Sequence, residues 1–285
     1  MINPRSLMMP LSTSGHVRER IKGALAITAF FDGHLEVLRA QVSPREFIPE
    51  DVVGVPQPLI KELEMAVDKL SESESDELQA IFGRLCNEQG VSISSSSLEN
   101  HPTAHWQEIN GLRSELVAER GKVADLIIIP QSKSGKPTAT FEAAILRSGK
   151  PVILVPRTMT NFAPNRIMIA WNGSTEGGRA VTQALPLLAQ ADEVVIATST
   201  NSVHRKPGAD LLIEYLARHD IVAISQTFNS KRRAAGEALL NLAEKRGSDL
   251  LVMGAFTHRR VHEQIFGGVT LHMIAHAKLP ILMMH

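Results

Sequence analysis

The chain has 285 residues, of which 44% are hydrophobic and 21% charged, and this composition excludes a disordered protein because it supplies a large core. Thirty lysines and arginines balance thirty aspartates and glutamates, so net charge does not indicate a nucleic-acid or membrane partner. Cys86 is the only cysteine, no apolar run approaches the ~20 residues that span a bilayer, and the first residues lack a signal-peptide layout. We therefore expect a cytoplasmic protein with no intramolecular disulfide, no membrane contact and no nucleic-acid partner.

In the first half of the chain, apolar runs of strand length alternate with stretches of helical periodicity. Strands are predicted at residues 6–11, 35–42, 91–95, 125–130 and 152–155. Helices are predicted at residues 16–31, 59–88, 106–120 and 138–147, the second of them with a break near the serine-rich run 71–75.

The same alternation returns in the second half. Strands are predicted at residues 166–171, 193–198, 221–227, 249–254 and 281–284. Helices are predicted at residues 174–189, 209–218, 231–246 and 268–277.

The order of elements, β-α-β-α-β-α-β-α-β, therefore occurs twice, with a boundary near residues 156–165 that gives domains 1–157 and 158–285. Asp125 opens the fourth strand of the first half as Asp249 opens that of the second. Such alternation predicts a parallel sheet with helices on both faces. Ligands of such sheets bind at the carboxyl ends of the strands, where the strand order reverses.

The most informative segment, residues 253–270, joins the fourth strand of the second half to its last helix. Gly267 and Gly268 would let backbone N–H groups approach a ligand closely. The helix that follows offers unpaired N–H groups and a positive dipole end, which together favour a phosphate. Arg259 and Arg260 lie in the same loop and could add charge-assisted hydrogen bonds.

This segment resembles the nucleotide-binding loop of the universal stress proteins, whose pattern is Gly, two residues, Gly, nine residues, Gly and then Ser or Thr. Gly254 fills the first position and Gly267 the third, with the family's spacing. Thr257 stands at the second glycine position, and Gly268 stands at the Ser or Thr position. In the first strand of this half, Asn172 takes the place of the family's aspartate. The resemblance covers the second half and, more weakly, the first, and the tandem form is known in the family.

In fold, the resemblance implies an α/β protein of two tandem Rossmann-like domains of the adenine-nucleotide α-hydrolase-like type, each with a five-stranded parallel sheet of order 3-2-1-4-5. The fifth strands, residues 152–155 and 281–284, are edges that pair between subunits in the family. Here we expect them to pair inside the chain as an intramolecular pseudo-dimer, which also protects two apolar edges. A homodimer is left open.

In function, the resemblance implies a non-enzymatic stress-response or signalling protein whose second half binds ATP or AMP, with Mg²⁺ only together with nucleotide and at most weak ATPase activity. Residues 170–172 would lie near the base and ribose, Thr198 near the base, and Gly267 with its two successors at the phosphates. The implied nucleotide-binding residues are Ala170, Trp171, Asn172, Thr198, Met253, Gly254, Thr257, Gly267, Gly268 and Val269.

Two alternatives of other classes stay open. The departures at Thr257, Asn172 and Gly268 favour a protein-interaction module that has lost nucleotide binding. A nucleotide-using enzyme is disfavoured, because the sequence has neither a Walker-type phosphate loop nor a nucleophile elbow.

The first half lacks the features of a nucleotide site. Its loop at residues 131–138 is five residues shorter and has no glycine pattern, and Ser12 stands where the family has aspartate. We therefore interpret this half as a degenerate domain that contributes packing. Histidines spaced i, i+4 could bind a metal from one helix face, but without a further ligand pattern no metal site is expected. These pairs are His258 with His262 and His272 with His276.

Overall fold

The computed structural model describes residues 3–13, 15–41, 57–97, 100–229, 235–256 and 267–285, without the side chains of residues 57–72. The strands are β1 (Ser6–Leu11), β2 (His34–Gln41), β3 (Ser92–Ile93), β4 (Thr103–Asn110), β5 (Leu126–Pro130), β6 (Val152–Val155), β7 (Arg166–Ala170), β8 (Glu193–Ser199), β9 (Ala223–Phe228), β10 (Leu250–Gly254) and β11 (Ile281–Met284). The helices are α1 (Val17–Phe31), α2 (Gln57–Gln89), α3 (Arg113–Arg120), α4 (Ala139–Arg147), α5 (Thr175–Leu188), α6 (Ala209–Ala217), α7 (Ala235–Arg246) and α8 (Gly268–His276).

These strands form one continuous sheet in the order β3-β4-β2-β1-β5-β6-β11-β10-β7-β8-β9. Its neighbours are parallel except at the centre, where β6 and β11 run antiparallel with Ile153 opposite Leu282. Strands β7 to β11 have the predicted order 3-2-1-4-5. The first half has the same order with β4 in third place, and it adds the short edge strand β3. The predicted α/β fold is confirmed, with one strand more than expected in the first half.

The third strand of the first half lies elsewhere than predicted. Residues 91–95 contribute only the two-residue strand β3, whereas residues 106–110, predicted to be helical, belong to β4. All eight residues of β4 pair with β2, from His34 opposite Thr103 to Gln41 opposite Asn110. This ladder satisfies the backbone of β4 and buries Thr103 and Ala104, so tertiary pairing overrides the helical periodicity. The helix begins only after Gly111, at Arg113.

Helices cover both faces of the sheet because its central strands are apolar on both sides. In β5, Leu126 and Ile128 pack in one core cluster while Ile127 and Ile129 pack in the other. The first cluster lies under α1, α2, α5 and α6, and the second under α3, α4, α7 and α8. This arrangement leaves the ends of the parallel strands as the places where side chains can meet a ligand.

Helix α2 runs without interruption through 33 residues, so the predicted break near residues 71–75 is not observed. The serine and glutamate residues of this run include neither glycine nor proline. Relative to alanine, each serine or glutamate destabilises a helix by only about a few tenths of a kcal/mol, as other polar residues do.

The two halves meet across β6 and β11 and through side chains on either side of that pair. Phe30 on α1 packs edge-on against Phe162 of the linking segment, with ring centroids 5.3 Å apart. On the other face, Gln131 Nε2 donates a hydrogen bond to the carbonyl oxygen of Ala277, at 2.7 Å. The expected pairing of the two fifth strands within the chain is therefore present. Because the sheet passes through the junction without a gap, the domain limits at residues 157 and 158 stay a prediction.

Among the described helices, none combines the length and the apolar character needed to cross a bilayer.

Candidate functional site

The predicted nucleotide-binding residues that the structure describes converge at the carboxyl edge of β10, β7 and β8. Ala170 at the end of β7 pairs with Met253 on one side and with Ala197 on the other. Trp171, Thr198 and Gly254 follow at the same edge, since parallel strands end together. Helix α8 returns from this edge because β10 and β11 are parallel. Thr257, together with Arg259, Arg260 and the histidine pair at 258 and 262, lies outside the described residues.

The turn between β7 and α5 is built by two side-chain caps. Asn172 Oδ1 accepts the N–H of Ser174 at 3.1 Å, and Ser174 Oγ accepts the N–H of Gly177 at 3.1 Å as the N-cap of α5. Gly173 has φ of 71°, and a Cβ there would lie 3.0 Å from the carbonyl oxygen of Pro207. Asn172 therefore stabilises the turn through Oδ1, and for this hydrogen bond it does not need the negative charge of the aspartate that it replaces.

The indole of Trp171 is 7% exposed, and its Nε1 donates to the carbonyl oxygen of Pro207 at 3.0 Å. Pro207 belongs to the segment between β8 and α6, which thereby lies over the end of β7. Behind the indole, α5 and α6 enclose a cavity of about 350 Å³ whose other walls include Leu211 and Tyr215. This cavity was not predicted from the sequence, although Leu211 and Tyr215 are spaced i, i+4 on one face of α6.

Thr198 carries an unsatisfied polar atom at the end of β8. Its side chain is 5% exposed, and its Oγ1 is buried without a hydrogen-bond partner among the described residues. Buried hydroxyls nearly always have a partner, so this one indicates a polar atom that the described residues do not supply.

The glycines of the proposed loop differ in whether packing against neighbouring residues requires a glycine at their position. At Gly254, a Cβ would lie 2.5 Å from the backbone nitrogen of Gly177, so packing of β10 against α5 demands glycine there. Gly267 is the N-cap of α8 with φ of −68°, and neither it nor Gly268 would place a Cβ within 4 Å of any described atom. Among the described residues, neither packing nor backbone conformation explains glycine at 267 and 268, whereas close approach of a ligand would.

After β10 the chain turns towards the first half. Phe256 has the left-handed φ of 62°, and its ring packs at 6.3 Å from that of Phe141 on α4. The following segment, which contains the second position of the glycine pattern, therefore starts from a fixed and unusual backbone conformation.

The corresponding loop of the first half packs against the second half. Gly135 has φ of 66°, and a Cβ there would lie 3.3 Å from Cα of Ala275 on α8. Together with the Gln131 hydrogen bond, this contact places the short loop of residues 131–138 against α8.

The second histidine pair is stacked. The rings of His272 and His276 lie 4.3 Å apart, and His272 also packs over Gly236. Burial lowers the pKa of His272, and the neighbouring His276 lowers it further. Within the described ranges, no third potential ligand joins this pair in a metal-binding group.

Comparison with known proteins finds a family model that matches the second half and solved structures that share the fold of the whole chain. The model of the universal stress protein family matches residues 164–285. The fold is similar to that of a universal stress protein from Archaeoglobus fulgidus DSM 4304, with a TM-score of 0.70 and 14% identity over 98% of this chain and 97% of that one. It is also similar to a putative universal stress protein from Pseudomonas aeruginosa UCBPP-PA14, with a TM-score of 0.51 and 14% identity over 99% and 93% of the two chains. A comparison with curated proteins finds no match.

Proposed function

We propose that the chain is a non-enzymatic stress-response or signalling protein that binds ATP or AMP in its C-terminal half, since residues 164–285 match the model of the universal stress protein family. The observation that carries this proposal is the start of α8, where neither packing against the described residues nor backbone conformation requires glycine at positions 267 and 268. The proposed site is the carboxyl edge formed by the ends of β7, β8 and β10 together with this helix start.

The phosphates would lie at the first turn of α8. The N-cap Gly267 provides no side chain to cap the N–H groups of this turn, so an anion could accept hydrogen bonds from these donors at the positive dipole end. The absence of side chains at Gly267 and Gly268 would let phosphate oxygens reach the backbone. Magnesium would be present only together with the nucleotide.

The nucleoside would lie towards β7 and β8. The unpartnered Thr198 hydroxyl offers a hydrogen bond, and Trp171 offers an apolar wall at the adjacent strand end. The side chains described at this edge bind and orient but supply no arrangement of nucleophile and base, so we propose at most weak ATPase activity.

The second candidate is a protein-interaction module without nucleotide binding. Two observations favour it: Asn172 Oδ1 is taken up by the turn, and Pro207 lies against the Trp171 indole. Both reduce the room and the polar groups left for a nucleoside.

Calorimetric titration of the purified full chain with ATP and with AMP, each with and without Mg²⁺, decides between these functions. We expect micromolar binding that weakens at least about tenfold in Gly267→Val, because the added side chain would block the phosphates. Thr198→Val is expected to weaken binding by a similar factor through its lost hydroxyl.

Two variants in the first half serve as controls. Thr28→Val also removes a buried hydroxyl, one bonded to the carbonyl oxygen of Ala24, and Gly83→Ala adds a Cβ whose nearest described neighbour is 3.8 Å away. Both should bind as the original chain does. An absence of binding up to millimolar nucleotide would reject the proposal and leave the interaction module.

For cellular setting and assembly, we propose a cytoplasmic protein without membrane or nucleic-acid partners. We further propose that the internal β6–β11 pair makes the chain a pseudo-dimer.

A further inference from the structure

Three arginines meet at the carboxyl edge of the first half. Arg20 lies in the first turn of α1, Arg113 is the first residue of α3, and Arg157 follows β6 by two residues. Arg20 Nη1 donates to the carbonyl oxygen of Ser12, just after β1, at 3.0 Å. Because β1, β4 and β6 are parallel within this half, all three arginines lie at the same edge.

Among the described residues, no carboxylate forms an ion pair with this cluster. Arg20 is only 5% exposed, yet its Nε and the Nε of Arg113 are buried without a hydrogen-bond partner among the described residues. In the same part of the chain, none of the three arginines forms an ion pair.

Arg39 shows how this chain neutralises a buried guanidinium elsewhere. It too is 5% exposed, but it reaches Glu74 at 3.0 Å and Glu108 at 3.1 Å. Compared with Arg39, Arg20 and its two neighbours have no carboxylate partner among the described residues.

The charges of the cluster also oppose one another. Burial lowers the pKa of Arg20, and the positive charges of Arg157 and Arg113 lower it further. Glu19 raises this pKa, but its effect is the smallest of the four. Burial lowers the pKa of Arg113 as well. An unpaired buried charge is costly, so a bound anion would relieve both burial and repulsion.

The backbone around the cluster adds hydrogen-bond donors. Arg157 Nη2 lies 3.0 Å from the position of a Cβ at Gly15, which holds the guanidinium over the β1–α1 turn. Helix α3 begins at Arg113 without a side-chain cap, so its first N–H groups face the same edge. Glu115 in that first turn is occupied by Arg147, at 2.7 Å.

We propose that Arg20, Arg113 and Arg157 bind the phosphate groups of a phosphorylated small molecule, at a site in the first half separate from the proposed nucleotide site. Planar guanidinium groups match pairs of phosphate oxygens. Arg113 and Arg157, both partly exposed, would contact the anion, while the more buried Arg20 would add charge from beneath. This inference does not rest on the proposed function of the second half.

The test uses the full chain and inorganic pyrophosphate as the probe, followed by calorimetry and thermal unfolding at low and high salt. We expect binding that weakens with salt and that weakens at least about tenfold in Arg113→Gln and in Arg157→Gln. Arg84→Gln, which removes an exposed arginine of α2, is the matched control and should bind normally. Gly267→Val should also retain pyrophosphate binding, which separates this site from that of the second half.

Two further readouts extend the test. Without pyrophosphate, Arg157→Gln should unfold at the same temperature as the original chain or higher, because it relieves repulsion; a purely structural arginine would give the opposite. In the Gly267→Val background, tighter binding of ATP than of pyrophosphate would identify a nucleotide as the source of the phosphate, and equal binding would identify free polyphosphate. The proposal is overturned if pyrophosphate does not bind at millimolar concentration, or binds the arginine variants as tightly as Arg84→Gln.

Discussion

Asp125 and Asp249, the repeated residue of the two halves, perform the same task at the amino edge of the sheet, opposite the candidate sites. Asp125 Oδ2 accepts the N–H groups of Arg5 and Ser6 at 2.9 and 3.0 Å. Asp249 accepts those of Asn165 and Arg166, but with one carboxylate oxygen each, at 3.1 and 2.9 Å. The repeat in the sequence thus marks the entry into the first strand of each half and not a ligand contact.

Because Asp125 accepts both hydrogen bonds on one oxygen and Asp249 on two, the same substitution should lower the unfolding free energy by different amounts at the two positions. Asp125→Asn can keep both hydrogen bonds on its single oxygen and should lose less than about 1 kcal/mol of unfolding free energy. Asp249→Asn must turn its NH₂ group towards one N–H donor and should lose about 1–3 kcal/mol. Urea unfolding of the two variants at pH 7 measures both values, and equal losses would contradict the hydrogen-bond argument.

Among the elements, β4 and α2 are held together by a polar network that the sequence did not reveal. Glu108 on β4 accepts hydrogen bonds from Trp106 Nε1 at 2.8 Å, from Ser75 on α2, and from Arg39 on β2. Burial raises the pKa of Glu108, but the hydrogen bonds from Ser75 and Trp106 and the charge of Arg39 outweigh it and hold the pKa below its usual value. The network explains why residues 103–110 form a strand next to β2.

A lowered pKa in the folded chain means that Glu108 stabilises the fold above its unfolded pKa, near 4.5, and that this contribution is lost as pH falls through the folded value. Glu108→Gln should therefore lower the unfolding free energy by about 2–3 kcal/mol at pH 7. This difference between the variant and the original chain should become smaller below pH 4.5. Chemical unfolding at several pH values measures the gap.

Glu115→Gln, which removes an exposed carboxylate paired with Arg147, is the matched control for this titration. It should change stability little, because exposed ion pairs contribute little. A gap for Glu108→Gln that stays constant from pH 7 to pH 3.5 would contradict the assigned role of its charge.

The scale of elements also shows where sequence reading succeeds. The strands 126–130 and 250–254 were predictable because unbroken apolar runs of this length are typical of strands that are buried on both faces of a parallel sheet. The strand 103–110 was not, because its partners Arg39 and Ser75 are distant in sequence and its own periodicity resembles that of a helix.

In the whole molecule, the β6–β11 pair joins the sheets of the two halves. The two strands use each other's backbone groups inside the chain, with Ile281 opposite Leu154 and Met283 opposite Val152. The outer edges of the sheet are β3, only two residues long, and β9, whose exposed side chains are largely polar. Short or polar edges discourage further strand pairing.

We therefore expect the purified chain to be a monomer, because the apolar edge that could join two copies is already paired. Light scattering at micromolar concentration should give a mass near 31.1 kDa. A mass near twice this value would show a homodimer through another surface and would contradict this prediction.

The resemblance to the universal stress proteins implied the strand order, whereas the sequence by itself determined the alternation of strands and helices in the second half, the two-fold repeat and the edge of the sheet at which a ligand is expected to bind. These features follow from the geometry of parallel sheets and from apolar periodicity, a pattern that is encoded by residues close together in the sequence. Only the tertiary structure decided that packing requires Gly254, and that among the described residues nothing packs against Gly267 and Gly268 and nothing bonds to the hydroxyl of Thr198. It alone brought together Arg20, Arg113 and Arg157, since charge placement depends on which distant segments the sheet makes adjacent.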